Sequence, residues 1–185
     1  SAFSLDPGER TRTIELDLAA SSMARLAGRP APELAQIKGW KNGGPVKLAD
    51  LKGKVVLLDF WGTWCGPCVG AMPELMEIHD TYKDRGLVVI AVHDDSVASI
   101  DDMDAKLTDI KKTVWSGRDL PFLVALDGGG PTPIARSTQT ARGATTAAYG
   151  VYIFPTQILI DRHGNVIGER ARGEMDQVLK LLDEN

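Results

Sequence analysis

Two continuous apolar runs in the middle of the chain, residues 55–60 and 87–92, predict buried strands. Both are rich in valine, leucine and isoleucine, as is typical of strands covered on both faces. Between them, apolar side chains recur every three or four positions over residues 67–82, which predicts a helix. The order strand, helix, strand predicts a parallel crossover unit and hence an α/β fold.

The same periodicities predict shorter elements on either side of this centre. Towards the N-terminus these are an edge strand at 13–18, a short helix at 19–26, and a weak strand at 34–40 that would form a hairpin beside the core. Towards the C-terminus they are a surface helix at 99–114, strands at 120–126, 153–161 and 165–171, one helical turn at 145–150, and a closing helix at 175–182. The polar, glycine-rich stretch 128–142 predicts irregular structure.

Composition and charge narrow the classes of protein. The chain has 185 residues, of which 43% are hydrophobic and 25% charged, enough for one well-buried core. Its formal charge of −4 comes without any run of Lys and Arg, so we expect no nucleic acid partner. No apolar run approaches the roughly 20 residues that span a bilayer, so we expect no membrane span in this chain.

The candidate chemistry centres on two cysteines, Cys65 and Cys68, which follow the first apolar run at the start of the predicted helix. Pro67 suits the first turn of a helix, and the positive end of the helix dipole stabilises a thiolate. A Cys-x-x-Cys pair lowers the pKa of its thiols, and its spacing lets the two sulfurs meet. We therefore predict a redox-active disulfide as the only cofactor, with Cys65 attacking a substrate and Cys68 resolving the mixed disulfide.

A metal site is the alternative for the cysteine pair, with His79, His93 or His163 as further ligands of zinc or copper. Structural zinc usually takes four ligands in matched pairs, and the sequence has no second cysteine pair. We therefore expect no metal.

Other polar residues also allow two interpretations. Asp59 could be a surface charge, but its place between Leu58 and Phe60 favours burial in the strand. Trp61 is more typical of a packing role, and Trp64 could shield the sulfur of Cys65. The acidic residues over 94–104 favour the solvated start of a helix, although they could instead select partners.

These residues resemble the thioredoxin superfamily and, within it, the TlpA-like, redoxin-related thiol-disulfide oxidoreductases of bacterial envelopes. The stretches that carry the resemblance are Lys52-Gly53-Lys54, Asp59-Phe60-Trp61, Trp64-Cys65-Gly66-Pro67-Cys68, Pro73, Tyr149-Gly150-Val151 and Phe154-Pro155-Thr156. The resemblance implies a thioredoxin-like domain over residues 28–185, with a central mixed sheet flanked by helices. It also implies an N-terminal extension over 1–27 and a lengthened segment at about 96–145.

The resemblance implies roles for particular residues. Pro155 is expected in the cis form, facing the cysteine pair, where the family pairs an extended substrate segment with the loop. The implied substrate-binding residues are Trp64, Gly66, Pro67, Phe154, Pro155 and Thr156.

Asp59 matches the buried carboxyl that thioredoxins use to move a proton to or from Cys68. Burial should raise the pKa of that carboxyl towards neutrality. The run 87–92 lacks the lysine that thioredoxins place beside it. Unless another cation takes that place, we expect a larger upward shift.

The function implied is thiol-disulfide oxidoreductase activity, with protein disulfides as substrates and an upstream thiol electron donor. The Gly-Pro pair between the cysteines favours a reductant. An oxidase, an isomerase, a thiol peroxidase or a non-catalytic binding module of a larger envelope protein are the alternatives. We expect a monomer in the bacterial envelope or periplasm, with any membrane anchor upstream of residue 1.

Overall fold

A central six-stranded sheet organises the computed structural model, which describes residues 22–171 and 173–183. The strands are β1 (Gly39–Lys41), β2 (Val55–Trp61), β3 (Leu87–His93), β4 (Leu123–Leu126), β5 (Pro131–Pro133), β6 (Thr140–Arg142), β7 (Thr156–Ile160) and β8 (Val166–Arg170). The helices are α1 (Ser22–Leu26), α2 (Gly66–Tyr82), α3 (Ile100–Thr113), α4 (Ala144–Ala148) and α5 (Asp176–Asp183). The central sheet has the order β1-β4-β3-β2-β7-β8, while β5 and β6 form a separate two-stranded sheet.

Strand β2 lies inside the sheet, parallel to β3 on one side and antiparallel to β7 on the other. Every residue of β2 is buried, as its apolar run predicts. The crossover from β2 through α2 to β3 is therefore parallel, and the central mixed sheet flanked by helices is confirmed.

Side chains of β2 alternate between two hydrophobic layers. Leu57 and Trp61 pack with α2, α3 and α5, and this layer also holds Cys65 and Cys68. Val56, Leu58 and Phe60 lie on the opposite face with Tyr149 and Val151. The fold therefore places both cysteines over the face to which the odd-numbered residues of β2 point.

Several predicted elements differ from those observed. The strand predicted at 34–40 is only β1, and it pairs with β4 at the sheet edge rather than forming a hairpin. Gln36 has φ 53°, a left-handed conformation that a strand cannot contain. The strand predicted at 120–126 begins at Leu123, because Pro121 has no N–H to donate. The strand predicted at 153–161 begins only after Pro155.

Residues 128–142, predicted to be irregular, contain the β5–β6 hairpin. The helices predicted at 99–114 and 175–182 are confirmed as α3 and α5, within one or two residues at each end. The strand predicted at 13–18 lies outside the described residues, as does the first part of the helix predicted at 19–26. Within the described ranges, no helix is both long and apolar enough to cross a bilayer.

A buried carboxylate fixes the start of α4 and so the path of the chain towards Pro155. Asp127 accepts hydrogen bonds from the backbone N–H groups of Gly128, Thr145 and Thr146 at 2.9, 3.1 and 2.8 Å. Gly143 is required here, because it has φ 127° and a Cβ would lie 2.1 Å from the Asp127 carboxylate.

Candidate active site

The two cysteines form a disulfide at the N-terminus of α2, with their Sγ atoms 2.02 Å apart. Cys65 is the N-cap residue, and its Sγ accepts a hydrogen bond from the Cys68 N–H at 3.2 Å. Gly66 and Pro67 are exposed, whereas Cys68 is buried. A Cys65 sulfur released from the disulfide would lie at the positive end of a 17-residue helix, which favours its thiolate form.

A buried histidine holds the loop that precedes Cys65. The Thr63 N–H donates to Nε2 of His93 at 2.9 Å, so Nε2 carries no proton. The neutral ring then carries its proton on Nδ1, which donates to the Asp94 carbonyl oxygen at 2.8 Å. Burial lowers the pKa of His93 and keeps it neutral. His93 therefore positions the loop, a role that the sequence analysis missed.

Asp94 is fully buried, so the prediction that it begins a solvated helix is wrong. Its Oδ2 accepts from Trp64 Nε1 at 3.0 Å, and its Oδ1 accepts from the Ser96 hydroxyl. The prediction is confirmed for Asp101 and Asp102, which lie in the first turn of α3. Asp94 instead fixes the indole of Trp64 beside the cysteine pair.

Trp64 forms one wall of a cleft next to the cysteines. Its side chain is 55% exposed, and its ring packs edge-to-face on Phe154 with centroids 5.6 Å apart. The Arg142 guanidinium lies 5.8 Å from the Trp64 ring centroid. The cleft has a volume of about 400 Å³, and the residues that line it are Trp64, Thr140, Ala141, Arg142, Tyr152 and Phe154. Strand β6 and Tyr152 therefore belong to this surface, although no local motif pointed to them.

The Phe154–Pro155 peptide bond is cis, which confirms the predicted isomer. Thr156 begins β7 directly after it, pairs with Phe60 of β2, and donates its hydroxyl to the Ile153 carbonyl at 2.8 Å. The contact between Phe154 and Trp64 brings this loop against the segment that carries Cys65.

Asp59 is 2% exposed, so its predicted burial is confirmed. It lies between Leu57 and Trp61 on the face of β2 that packs against α2, the layer that also contains Cys68. Its partner across the sheet is Gln157 of β7, whose Nε2 donates to Asp59 Oδ1 at 2.8 Å.

Two of the three histidines considered as metal ligands make other contacts. His79 packs on Phe122 with ring centroids 5.8 Å apart, and His93 holds Thr63. Among the residues that the structure describes, no group of three or more His, Cys, Asp or Glu side chains could hold a metal ion.

Burial of His93 predicts a loss of stability in mild acid. Its folded pKa is lowered, so below pH of about 6.5 the unfolded chain binds a proton that the folded protein does not. The free energy of unfolding should fall by up to about 1.4 kcal/mol per pH unit from this residue until the folded pKa is reached.

Urea unfolding at a series of pH values from 7.5 to 5 measures this loss. His93→Gln keeps an acceptor for the Thr63 N–H but cannot titrate, so its stability should fall less steeply than that of the wild type. His163→Gln, at an exposed turn, is the matched control. An equally steep fall in His93→Gln and the wild type would contradict the prediction.

A family model, a relative in sequence and two solved structures are similar to this chain. The Redoxin family model matches residues 26–180. The chain is 37% identical over 145 residues to thiol-disulfide oxidoreductase ResA of Bacillus thuringiensis subsp. konkukian, covering 76% of this chain and 70% of that protein. A thiol-disulfide isomerase from Corynebacterium glutamicum has a similar structure, with TM-score 0.58, 27% identity, and coverage of 84% of this chain and 98% of the other. A thioredoxin-like protein solved in the oxidised form matches with TM-score 0.56 and 29% identity, covering 82% and 89% of the two chains.

Proposed function

Because the chain belongs to the Redoxin family, we propose that it is a thiol-disulfide oxidoreductase that reduces disulfides in other proteins. The observation that carries this proposal is the Cys65–Cys68 disulfide at a helix N-terminus beside an exposed aromatic cleft. The ResA relative, named as a thiol-disulfide oxidoreductase, supports the same chemistry.

The reaction starts from the reduced pair and passes two electrons to the substrate. The Cys65 thiolate attacks one sulfur of the substrate disulfide, so a Cys65–substrate disulfide forms and the substrate bond breaks. The first substrate sulfur leaves as a thiolate and takes a proton from solvent. Cys68 then loses its proton and attacks Cys65 Sγ, which forms the Cys65–Cys68 disulfide and releases the second substrate thiolate.

Asp59 is the proposed proton acceptor for Cys68 in the resolving step. Its carboxylate and Cys68 lie in the same buried layer between β2 and α2, where bulk water does not provide an acceptor. The proton passes from Asp59 to the departing substrate thiolate, so the carboxylate is restored at the end of the cycle.

The proposed substrate platform consists of Trp64, Gly66, Pro67, Phe154, Pro155 and Thr156. Trp64, Gly66 and Pro67 are exposed around the buried cysteines, and Phe154 contacts Trp64. An extended segment of the substrate would lie along the loop at Pro155, with its disulfide over Cys65. Tyr152 and Ile153, both more than half exposed, widen the apolar part of this surface.

The cycle requires no cofactor besides the cysteine pair, because that pair holds both electrons. An upstream thiol donor must reduce the Cys65–Cys68 disulfide after each turnover. We propose that the protein works as a monomer in the bacterial envelope, where protein disulfides form.

The reduction potential of the cysteine pair tests the proposal. Equilibration with glutathione and dithiothreitol, followed by mass spectrometry of the alkylated protein, measures it directly. We expect a value close to the roughly −270 mV of thioredoxin, because a reductant must hold its electrons weakly. Cys65→Ser is the matched control and should show no couple.

Two other results would change the assignment. A potential near the roughly −120 mV of the oxidant DsbA would favour an oxidase that uses the same residues. Absence of any reversible two-electron couple would contradict enzyme function and favour a binding module.

A further inference from the structure

A row of three buried polar side chains crosses the sheet on the cysteine side. Asp59 of β2, Gln157 of β7 and Arg170 of β8 are successive partners in the strand register. All three are at most 4% exposed. Such side chains are rarely buried without hydrogen-bonding partners. The register therefore links a buried carboxylate to a buried guanidinium through one amide.

The hydrogen bonds fix the direction of this link. Arg170 Nη1 donates to Gln157 Oε1, and Gln157 Nε2 donates to Asp59 Oδ1 at 2.8 Å. Because guanidinium groups can only donate, the oxygen of the amide must face Arg170 and its N–H must face Asp59. A flipped amide would lose both bonds. Arg170 thus holds an N–H donor aimed at the carboxylate.

Arg170 has further partners that hold it in place. Its Nε donates to the Glu174 carbonyl at 2.8 Å, and its Nη2 lies 3.1 Å from the Met175 sulfur. Nη2 also lies 3.5 Å from Glu74 of α2, whose side chain is 40% exposed. Among the described residues, Glu74 of α2 is thus a charged group that approaches Arg170, and Cys68 of α2 lies in the same buried layer, whereas Glu174 offers its backbone oxygen.

We propose that Arg170, acting through Gln157, is a positioning residue that holds Asp59 as a carboxylate acceptor for the Cys68 proton. This inference rests on the proposed function. The run 87–92 lacks the lysine expected beside Asp59, and Arg170 supplies a cation from the opposite side of β2. The positive charge polarises the amide, and the amide N–H stabilises the ionised form of Asp59.

A purely structural role for Arg170 is the competing explanation, because it also ties down Glu174 and Met175 ahead of α5. The two roles differ in what they change. If the role of Arg170 is purely structural, its replacement lowers only the folding stability. If Arg170 is a positioning residue, its replacement also shifts the apparent pKa of the resolving step.

The experiment starts from a preformed mixed disulfide between Cys65 and 2-mercaptoethanol. The rate at which Cys68 releases 2-mercaptoethanol is measured as a function of pH. Removal of the cation in Arg170→Gln disfavours the carboxylate form of Asp59, so more of it is protonated at a given pH. The apparent pKa of the resolving step should rise by about one pH unit, the lower end of the effect of a nearby opposite charge. On the acidic side of the profile this corresponds to about tenfold slower release.

Three further variants make the test specific. Gln157→Leu removes the amide that links the two groups while the Arg170 charge remains, and it should reproduce the shift. Arg170→Lys keeps the charge and should recover part of the wild-type profile. Arg162→Gln is the matched structural control, because Arg162 donates to carbonyl oxygens of Gly53, Leu181 and Leu182. It should lose stability with an unchanged profile.

An unshifted profile in Gln157→Leu and Arg170→Gln would overturn the inference and leave Arg170 with a structural role. If Arg170→Gln does not fold, the profile of Gln157→Leu decides alone. Failure of the proposed function itself is recognised separately, since the wild-type pair would then show no reversible dithiol couple.

Discussion

Cys65→Ser should abolish disulfide reduction, and Cys68→Ser should stop the reaction halfway. Cys65 is the cysteine at the N-cap, where the helix N-terminus and the Cys68 N–H favour a thiolate. Cys68 is 1% exposed, against 4% for Cys65, and its sulfur is bonded to that of Cys65, which places it to resolve the mixed disulfide. Without Cys68, the Cys65–substrate disulfide has no internal attacker and should accumulate as a covalent complex.

The rate at which the protein catalyses insulin reduction by dithiothreitol measures the first effect. Non-reducing electrophoresis with mass spectrometry measures the second. Each variant controls for the other, because serine replaces a sulfur atom in both. Cys65→Ser should trap no substrate. Cys68→Ser should trap substrate in a covalent complex that dithiothreitol separates by reducing the mixed disulfide. Two results would contradict the assignment of Cys65 as the nucleophile. One is equal trapping of substrate by both variants, and the other is catalysis of insulin reduction by Cys65→Ser.

The centre of the fold could be predicted from sequence because its pattern is local and continuous. Residues 55–60 contain a single charge, Asp59, and a strand covered on both faces needs no alternation to be recognised. The helix that follows has the Cys-x-x-Cys motif and Pro67 to mark its start. Helix α3 likewise has Ser99 as an N-cap, whose hydroxyl accepts from the Asp102 N–H.

The edges of the fold depend on pairing between distant residues, which periodicity does not contain. Strand β1 is three residues long and is defined by its partner β4, more than 80 residues later in the chain. The β5–β6 hairpin follows the glycine run 128–130, and β5 itself begins and ends with proline. In both places the local pattern predicted the wrong pairing or none.

The same distinction separates the site residues that were predicted from those that were missed. The Cys65 motif and Asp59 lie within ten residues of each other, and the cis isomer at Pro155 came from family resemblance. His93, Asp94 and Arg170 act through neighbours that are remote in sequence. The ends of β2 and β3 could have indicated His93 and Asp94, because parallel strands end at the same edge of a sheet and bring their loops together.

Asp59→Asn should slow the resolving step by about 100-fold, the lower range for loss of a positioned proton acceptor. Asparagine keeps an oxygen that can accept from Gln157 Nε2, so the fold and the network should persist. The neutral amide cannot take the Cys68 proton. Attack by Cys65 on a substrate disulfide does not use this proton and should keep its rate.

Rapid-mixing kinetics with a fluorogenic peptide disulfide separates the two steps, since each releases a different thiol. Asp161→Asn is the matched control, because Asp161 directly follows β7 and its carboxylate accepts only from the backbone N–H groups of His163 and Asn165 in the hydrogen bonds described. It should leave both rates unchanged. If Asp59→Asn slowed both steps equally, the carboxylate would be acting on the pair as a whole, and a dedicated role towards Cys68 would be wrong. Selective slowing of the second step would instead place the proton transfer at Cys68, the sulfur that lies with Asp59 in the layer between β2 and α2.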